Sequence, residues 1–323
     1  MRAVGWAALA LAALGTSPAL AFNCAKASTA VEKEICGNGA ALGANDRMEK
    51  AYFALRETLG AAGRKTLLDG QKAWLGWRDQ SCGPVADCLI EQGNARAEEL
   101  EKTPPGMAPF RFFQKGVANG YEVGISGYRF VEPAGKAEKA YNAWVDAQIA
   151  ETPHGQPPDP TEGEHAAYSH ELSFDLRRLS GRVISAAAYS YAYSGGAHPN
   201  GWSTAINLDR TSGAALNSKA VFGAANLRKL ADDCARQIVE WHSDQYGDLS
   251  QEEALRQLEG SFPGVVADHV GDMARWHFAD EGGVIRFDSY AIAPYAAGPS
   301  ECTFSYEQLR GLAGDPGLFS GGE

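Results

Sequence analysis

The sequence predicts two domains of different class: a small disulfide-stapled all-α domain, then an α+β domain with an antiparallel sheet and packed helices. Three observations carry this. Over residues 22–102 apolar residues recur at helical spacing, and four of the six cysteines lie there. Thr103-Pro104-Pro105-Gly106 then punctuates the chain. Beyond it, aromatic and β-favouring runs alternate with amphipathic stretches, the order of an α+β domain.

The 323 residues leave room for two ordinary domains. Arg2, the apolar run Ala3–Leu14 and Ser17-Pro18-Ala19-Leu20-Ala21 have the form of a secretory signal peptide. Residues 1–21 are therefore expected to be removed near Ala21, with the mature chain periplasmic or secreted. No later stretch has the length of apolar residues that a membrane span needs.

Met48, Tyr52, Leu55 and Leu59 share one helical face, as do Leu67, Gln71, Trp74, Leu75 and Arg78. Another helix is expected over Cys88–Glu101, with breaks at Gly37-Asn38-Gly39 and Cys82-Gly83-Pro84. Residues 103–109 read as a linker, 110–312 as the α+β domain and 313–323 as a tail. In that domain Phe110–Phe113, Tyr121–Phe130, Tyr168–Leu179, Val183–Tyr193 and Trp202–Asp209 are expected strands. Ala137–Glu151 and Leu227–Tyr246 read as helices, with Leu227, Leu230, Cys234, Ile238 and Trp241 lining one side of the second. Ser250–Leu258 and Val265–Met273 are shorter helices. Asp280-Glu281-Gly282-Gly283 turns a hairpin between Arg275–Phe278 and Val284–Phe287. Residues 152–163, rich in proline, read as a loop.

An even cysteine count in an exported chain points to disulfides. Local spacing, one pair per segment, favours Cys24–Cys36, Cys82–Cys88 and Cys234–Cys302 among the pairings the sequence allows. No C-x-x-C or H-x-x-x-H spacing supports a metal site, and no cofactor is implied. Charge is uneven. Residues 22–102 carry 11 Lys and Arg against 12 Asp and Glu, residues 103–323 carry 17 against 28. That acidity argues against nucleic acid or anionic lipid as partner and allows a basic protein.

The stretch Tyr189–Ser203, "YSYAYSGGAHPNGWS", holds the densest candidate features. Ser194 and His198 flank Gly195-Gly196, yet no G-x-S-x-G elbow is present. Asp175, Asp209 and Asp288 are candidate acids, and His165, His170 and His198 a conceivable metal set, but no spacing joins them. Catalysis is therefore not predicted. The stretch reads instead as a strand ending in a glycine turn, with Tyr189, Tyr191 and Tyr193 on one face, against a helix. The turn presents a stiff polar tip: Tyr193, Ser194, Gly195, Gly196, His198, Pro199 and Asn200. Tyr290, Pro294 and Tyr295 offer a second aromatic segment of the kind that anchors partners.

Two family resemblances go further. "FNCAKASTAVEKEIC", "LLDGQKAWLGWRDQSC" and "CLIEQGNARAEEL" resemble the helical domain of LprI-type lysozyme inhibitors. The matching positions are Cys24, Ala27, Glu32, Ile35, Cys36, Gln71, Trp74, Leu75, Arg78, Asp79, Cys82, Cys88 and Leu89. Gly43-Ala44-Asn45 departs from the family, which has a leucine before an aspartate there. "YSYAYSGGAHPNGW", "TSGAALNSKAVF" and "IRFDSYAIAPYAAGPSECTFSYEQL" resemble the extracellular domain of RsiV-type anti-sigma factors, over about 110–312. That resemblance implies lysozyme binding; neither a sigma-binding segment nor a deacetylase domain accompanies it here. The combined expectation is a non-enzymatic envelope protein that binds and inhibits a lysozyme-like muramidase. The alternatives are a peptidoglycan- or polysaccharide-binding module, a hydrolase centred on His198 and an envelope adaptor.

Overall fold

A computed structural model describes residues 22–115, 122–152, 169–193 and 197–320. The leader, His165, the Ser194-Gly195-Gly196 turn and most of the 152–163 loop lie outside the described residues. So do Tyr121, Tyr168 and the last three residues of the tail. The chain divides into two compact units, Met1–Ala54 with Arg78–Glu101, and Leu55–Trp77 with Lys102–Glu323.

The described part of the first unit is helical. Helices α1 (Ala30–Gly37), α2 (Gly39–Thr58), α3 (Ala61–Cys82) and α4 (Ala86–Glu101) follow in order; α2 runs on into the second unit at Leu55, and α3 belongs to that unit up to Trp77 and to the first from Arg78. Thr29 starts α1 with a capping box: its hydroxyl accepts from Glu32 N, and the Glu32 carboxylate accepts from Thr29 N. Accepting from the backbone N–H of Thr29 and of Ser28 holds the Glu32 pKa down to about 2. Val31, Ile35 and Leu89 close a small core beside the Cys82–Cys88 disulfide, and Cys24–Cys36 pins the start of the unit. The departure at Gly43-Ala44-Asn45 has a packing reason. A Cβ on Gly93 would sit 3.2 Å from that of Ala44, so α4 approaches α2 too closely for a leucine there. Asn45 itself is buried, donating to Glu49 and accepting from Arg78. Arg78 also grips its neighbour Asp79 at 2.7 Å. Leu67, Gln71, Trp74 and Arg78 are buried, as the spacing predicts.

In the second unit a five-stranded sheet has the order β1 (Met107–Lys115), β2 (Glu122–Phe130), β3 (Ser169–Leu179), β4 (Val183–Tyr193), β5 (Asn200–Asp209). The expected antiparallel pairing holds except between β2 and β3, which run parallel. Helix α5 (Lys136–Glu151) lies between them in the chain, and a helical crossover returns the strand in its original direction. Tyr141 and Val145 of α5 pack on Ile125, Leu172, Phe174 and Ala186. Asn142 clamps the helix to β2, accepting from Phe130 N and donating to Phe130 O.

A long helix, α6 (Ser218–Trp241), follows. It starts earlier than the Leu227 boundary read from periodicity, because Asn217 caps it by accepting from Ala220 N. Gly223, at φ 71°, breaks the helix just after its first turn. It also ends before Tyr246: His242 leaves helical geometry and a single turn, α7 (Ser243–Tyr246), completes the span. Trp241, expected on the apolar side, is 67% exposed at that end. Helices α8 (Gln251–Ser261) and α9 (Val265–Gly271) come next. A three-stranded antiparallel sheet then forms from β6 (Trp276–Phe278), β7 (Gly282–Phe287) and β8 (Ser300–Ser305), followed by α10 (Tyr306–Leu312). Strand β8 and helix α10 were not anticipated as elements; β8 is short, and its outward positions are polar or charged. Leu230, Cys234 and Ile238 of α6 share a core with Trp276, Phe278, Ile285 and Phe304, and Cys234–Cys302 joins α6 to β8. Polar bonds tie the two sheets: Asn207 donates to Met273 O and Trp276 O, and Phe278 N donates to Ser185 Oγ.

Candidate functional site

The alternation of β4 places Tyr189, Tyr191 and Tyr193 on one face. That face meets the second sheet, not the helix expected from sequence. The Tyr189 hydroxyl lies 3.2 Å from His277 Nδ1, and the Arg286 guanidinium sits 5.3 Å over its ring. Tyr191, farther along, is 45% exposed. On the opposite face His170 bonds Ser190 at 3.0 Å and meets the Trp202 ring edge-on.

The tip and the second aromatic segment, 92 positions apart, converge on His198. His198 Nδ1 lies 2.9 Å from Pro199 O, and Nε2 lies 2.9 Å from the Tyr290 hydroxyl. A carbonyl can only accept, so Nδ1 carries a proton, and in the neutral imidazole Nε2 accepts from Tyr290. The imidazole stacks on Tyr295, with centroids 3.7 Å apart and planes 13° apart, and Tyr290 closes the cluster 5.6 Å from Tyr295. Tyr290 stands at φ 71°, the one non-glycine positive φ among the described residues, and is 58% exposed. Pro294 precedes the single turn Tyr295–Ala297, which Gly298 ends at φ 74°.

The base of this loop is anchored by Asp288, a candidate acid in the sequence, and by two partners that no motif marked as its contacts, Ser203 and Arg275. Asp288 accepts from Ser203 Oγ at 2.8 Å and from Arg275 Nη1 at 2.9 Å. Ser203 lies opposite Tyr189 in the β4–β5 register, so Asp288 ties the loop to the strand that carries the tip. A serine directly after Trp202 carries no signal that it will meet an aspartate 85 positions on.

The candidate set is thus partly assembled. His198, Pro199, Tyr290 and Tyr295 touch directly. Pro294 adjoins Tyr295, Asn200 opens β5 and Tyr193 closes β4. Among the described residues the hydrogen-bond partners of His198 are the Pro199 carbonyl and the Tyr290 phenol. The candidate acids are engaged elsewhere: Asp175 with Arg177, Asp209 with Ser212 and Arg182, Asp288 with Ser203 and Arg275. Among the described residues no three His, Cys, Asp or Glu side chains are grouped to hold a metal ion.

Residues 23–100 match the lysozyme inhibitor LprI family. The LprI-type segment covers α1 to α4 and both of their disulfides. Residues 219–307 match a second family, described as a protein of unknown function, DUF3298. The DUF3298-type segment holds Asp288, Tyr290, Tyr295 and the Cys234–Cys302 bridge, and His198 lies ahead of it. No curated protein matches the chain. A solved DUF3298 family member from Bacteroides fragilis NCTC 9343 is similar at 16% identity and TM-score 0.51, over 66% of this chain and 95% of that one. That likeness is one of fold. A DUF3298 family protein from Pseudomonas aeruginosa PAO1 matches at 17% identity and TM-score 0.47, over 67% of this chain and 97% of that one.

Proposed function

We propose that this protein is exported to the cell envelope and there binds and inhibits a lysozyme-like muramidase without catalysing a reaction of its own. The match of residues 23–100 to the lysozyme inhibitor family carries the reading. Three disulfides, Cα–Cα distances 5.2–5.6 Å, support an oxidising compartment outside the cytoplasm. The helical part, 22–102, and the α+β part act as two domains; the expected 103–109 linker is shorter than read, because Met107 already opens β1.

The inhibitory act is steric. The tip at Tyr193–Asn200, braced by Tyr290, Pro294 and Tyr295, enters the sugar cleft of the muramidase. Ring stacking on Tyr295 and the bond to Tyr290 hold the His198 side chain in place, which lowers the entropy it loses on binding. The acidic second part of the chain steers a basic enzyme toward it. The test is a lysis assay with the mature chain and a panel of muramidases, paired with calorimetry. Saturable inhibition with measurable heat is expected. Unchanged lysis at micromolar excess, with no heat of binding, would overturn the reading.

A further inference from the structure

Beside the tip, the β4–β5 surface opens into a groove. Gly201 stands opposite Tyr191 in the strand register, and a Cβ placed on it would meet only Ser190 O, at 3.5 Å. Tyr189, Tyr191 and Tyr295 line the groove, together with Arg286 and Asp288. Its rings are held in place. Tyr189 is fixed by His277 and the Arg286 guanidinium, and Tyr295 by the His198 stack. Both charged groups in the lining already have counter-ions: Arg286 pairs with Glu301 at 3.0 Å and Asp288 with Arg275 at 2.9 Å. Nearby Arg177 is likewise paired, with Asp175 at 2.7 Å.

The ligand chemistry follows from these features. A phosphate or carboxylate would call for an uncommitted cation, and the paired charges leave none in the lining. A purely apolar ligand would strand the polar groups. A sugar has an apolar C–H face to lie on tyrosine rings and a rim of hydroxyls to meet fixed donors and acceptors. We propose that the groove floored by Gly201, between Tyr191 and Tyr295, binds a neutral oligosaccharide. This binding stands independently of muramidase inhibition, although a glycan strand is also the substrate such an enzyme attacks.

The probes are chitopentaose and cellopentaose, titrated into the isotope-labelled full chain to about 10 mM and followed by NMR. Saturable shifts with at least one of the two sugars are expected, and which sugar gives them tells whether N-acetyl groups are read. Gly201→Leu fills the floor, and Tyr191→Ala removes a wall. Each should weaken binding at least about tenfold. Thermal unfolding checks that each variant is folded, and if Gly201→Leu is not, Tyr191→Ala decides. No saturable shift with either sugar, or equal binding by the folded variants, overturns the proposal. Lysis assays on the same samples separate the two ideas. Inhibition without sugar binding overturns the groove alone, and sugar binding without inhibition overturns the muramidase reading alone.

Discussion

His198 and Tyr295 lie face to face, 3.7 Å between ring centroids, although 97 positions separate them in the chain (198 to 295). The stack joins the end of the β4–β5 connection to the loop between β7 and β8. It brings together two segments that the sequence shows separately, one as a glycine turn and one as an aromatic stretch.

Tyr290 completes that feature at a backbone cost. A non-glycine residue at positive φ loses about 1 kcal/mol or more. Tyr290→Gly should therefore leave the melting temperature unchanged or raised, because backbone strain is relieved, while muramidase inhibition weakens at least about tenfold. Thermal unfolding and inhibition assays on one preparation check this. A fall in both would make Tyr290 a structural residue.

Asp288 holds the loop base. Asp288→Ala removes the acceptor for Ser203 and leaves the half-buried Arg275 without this carboxylate. Faster amide hydrogen exchange over the Asp288–Gly298 loop is expected, with global stability lowered by roughly 1–2 kcal/mol. Exchange mass spectrometry against wild type measures it.

Asn207 fastens the two sheets from a buried position, donating to Met273 O and Trp276 O and accepting from Ser185. Asn207→Leu strands all three partners. A loss of about 2–4 kcal/mol is expected by urea unfolding.

Cys234–Cys302 closes a stretch of 68 positions, a long loop in the unfolded chain. Replacing both cysteines by alanine should cost roughly 2–4 kcal/mol. The Cys82–Cys88 bridge spans six positions and should cost less on the same entropic ground. Paired melting curves test the order.

Acid should destabilise the fold through its buried histidines. Burial, with Arg286, Arg177 and Arg275 nearby, pushes the His277 pKa down to about 4. Burial lowers His170 and His269 as well. An unfolded imidazole titrates near 6.5, so as pH falls the unfolded state takes up the proton first. The stabilisation from neutral His277 is complete above about pH 6.5, declines from there to about pH 4, and is flat below. Its size is of order 3 kcal/mol. His277→Gln should flatten the decline in urea midpoints measured from pH 7 to pH 4.

The sequence by itself determined the classes of the two parts, most element positions and the disulfide pairs. Those depend on local signals: apolar period, turn residues, and cysteines close in the chain or left as one late pair. It reached the candidate tip too, since His198-Pro199 and Tyr290 to Tyr295 stand out as motifs. The tertiary structure decided what those motifs do to one another. That His198 accepts from Tyr290 and stacks on Tyr295, that Asp288 reaches Ser203, and that the β4 tyrosines face a sheet are outcomes of packing. The parallel β2–β3 pair and the break of α6 at Gly223 are of the same kind, set by a crossover and by a backbone angle. Strand β8 escaped notice because six residues of mixed polarity are stabilised by neighbours, not by their own pattern. Contacts across tens of residues gain their energy only once the chain between them has folded, so no local pattern encodes them.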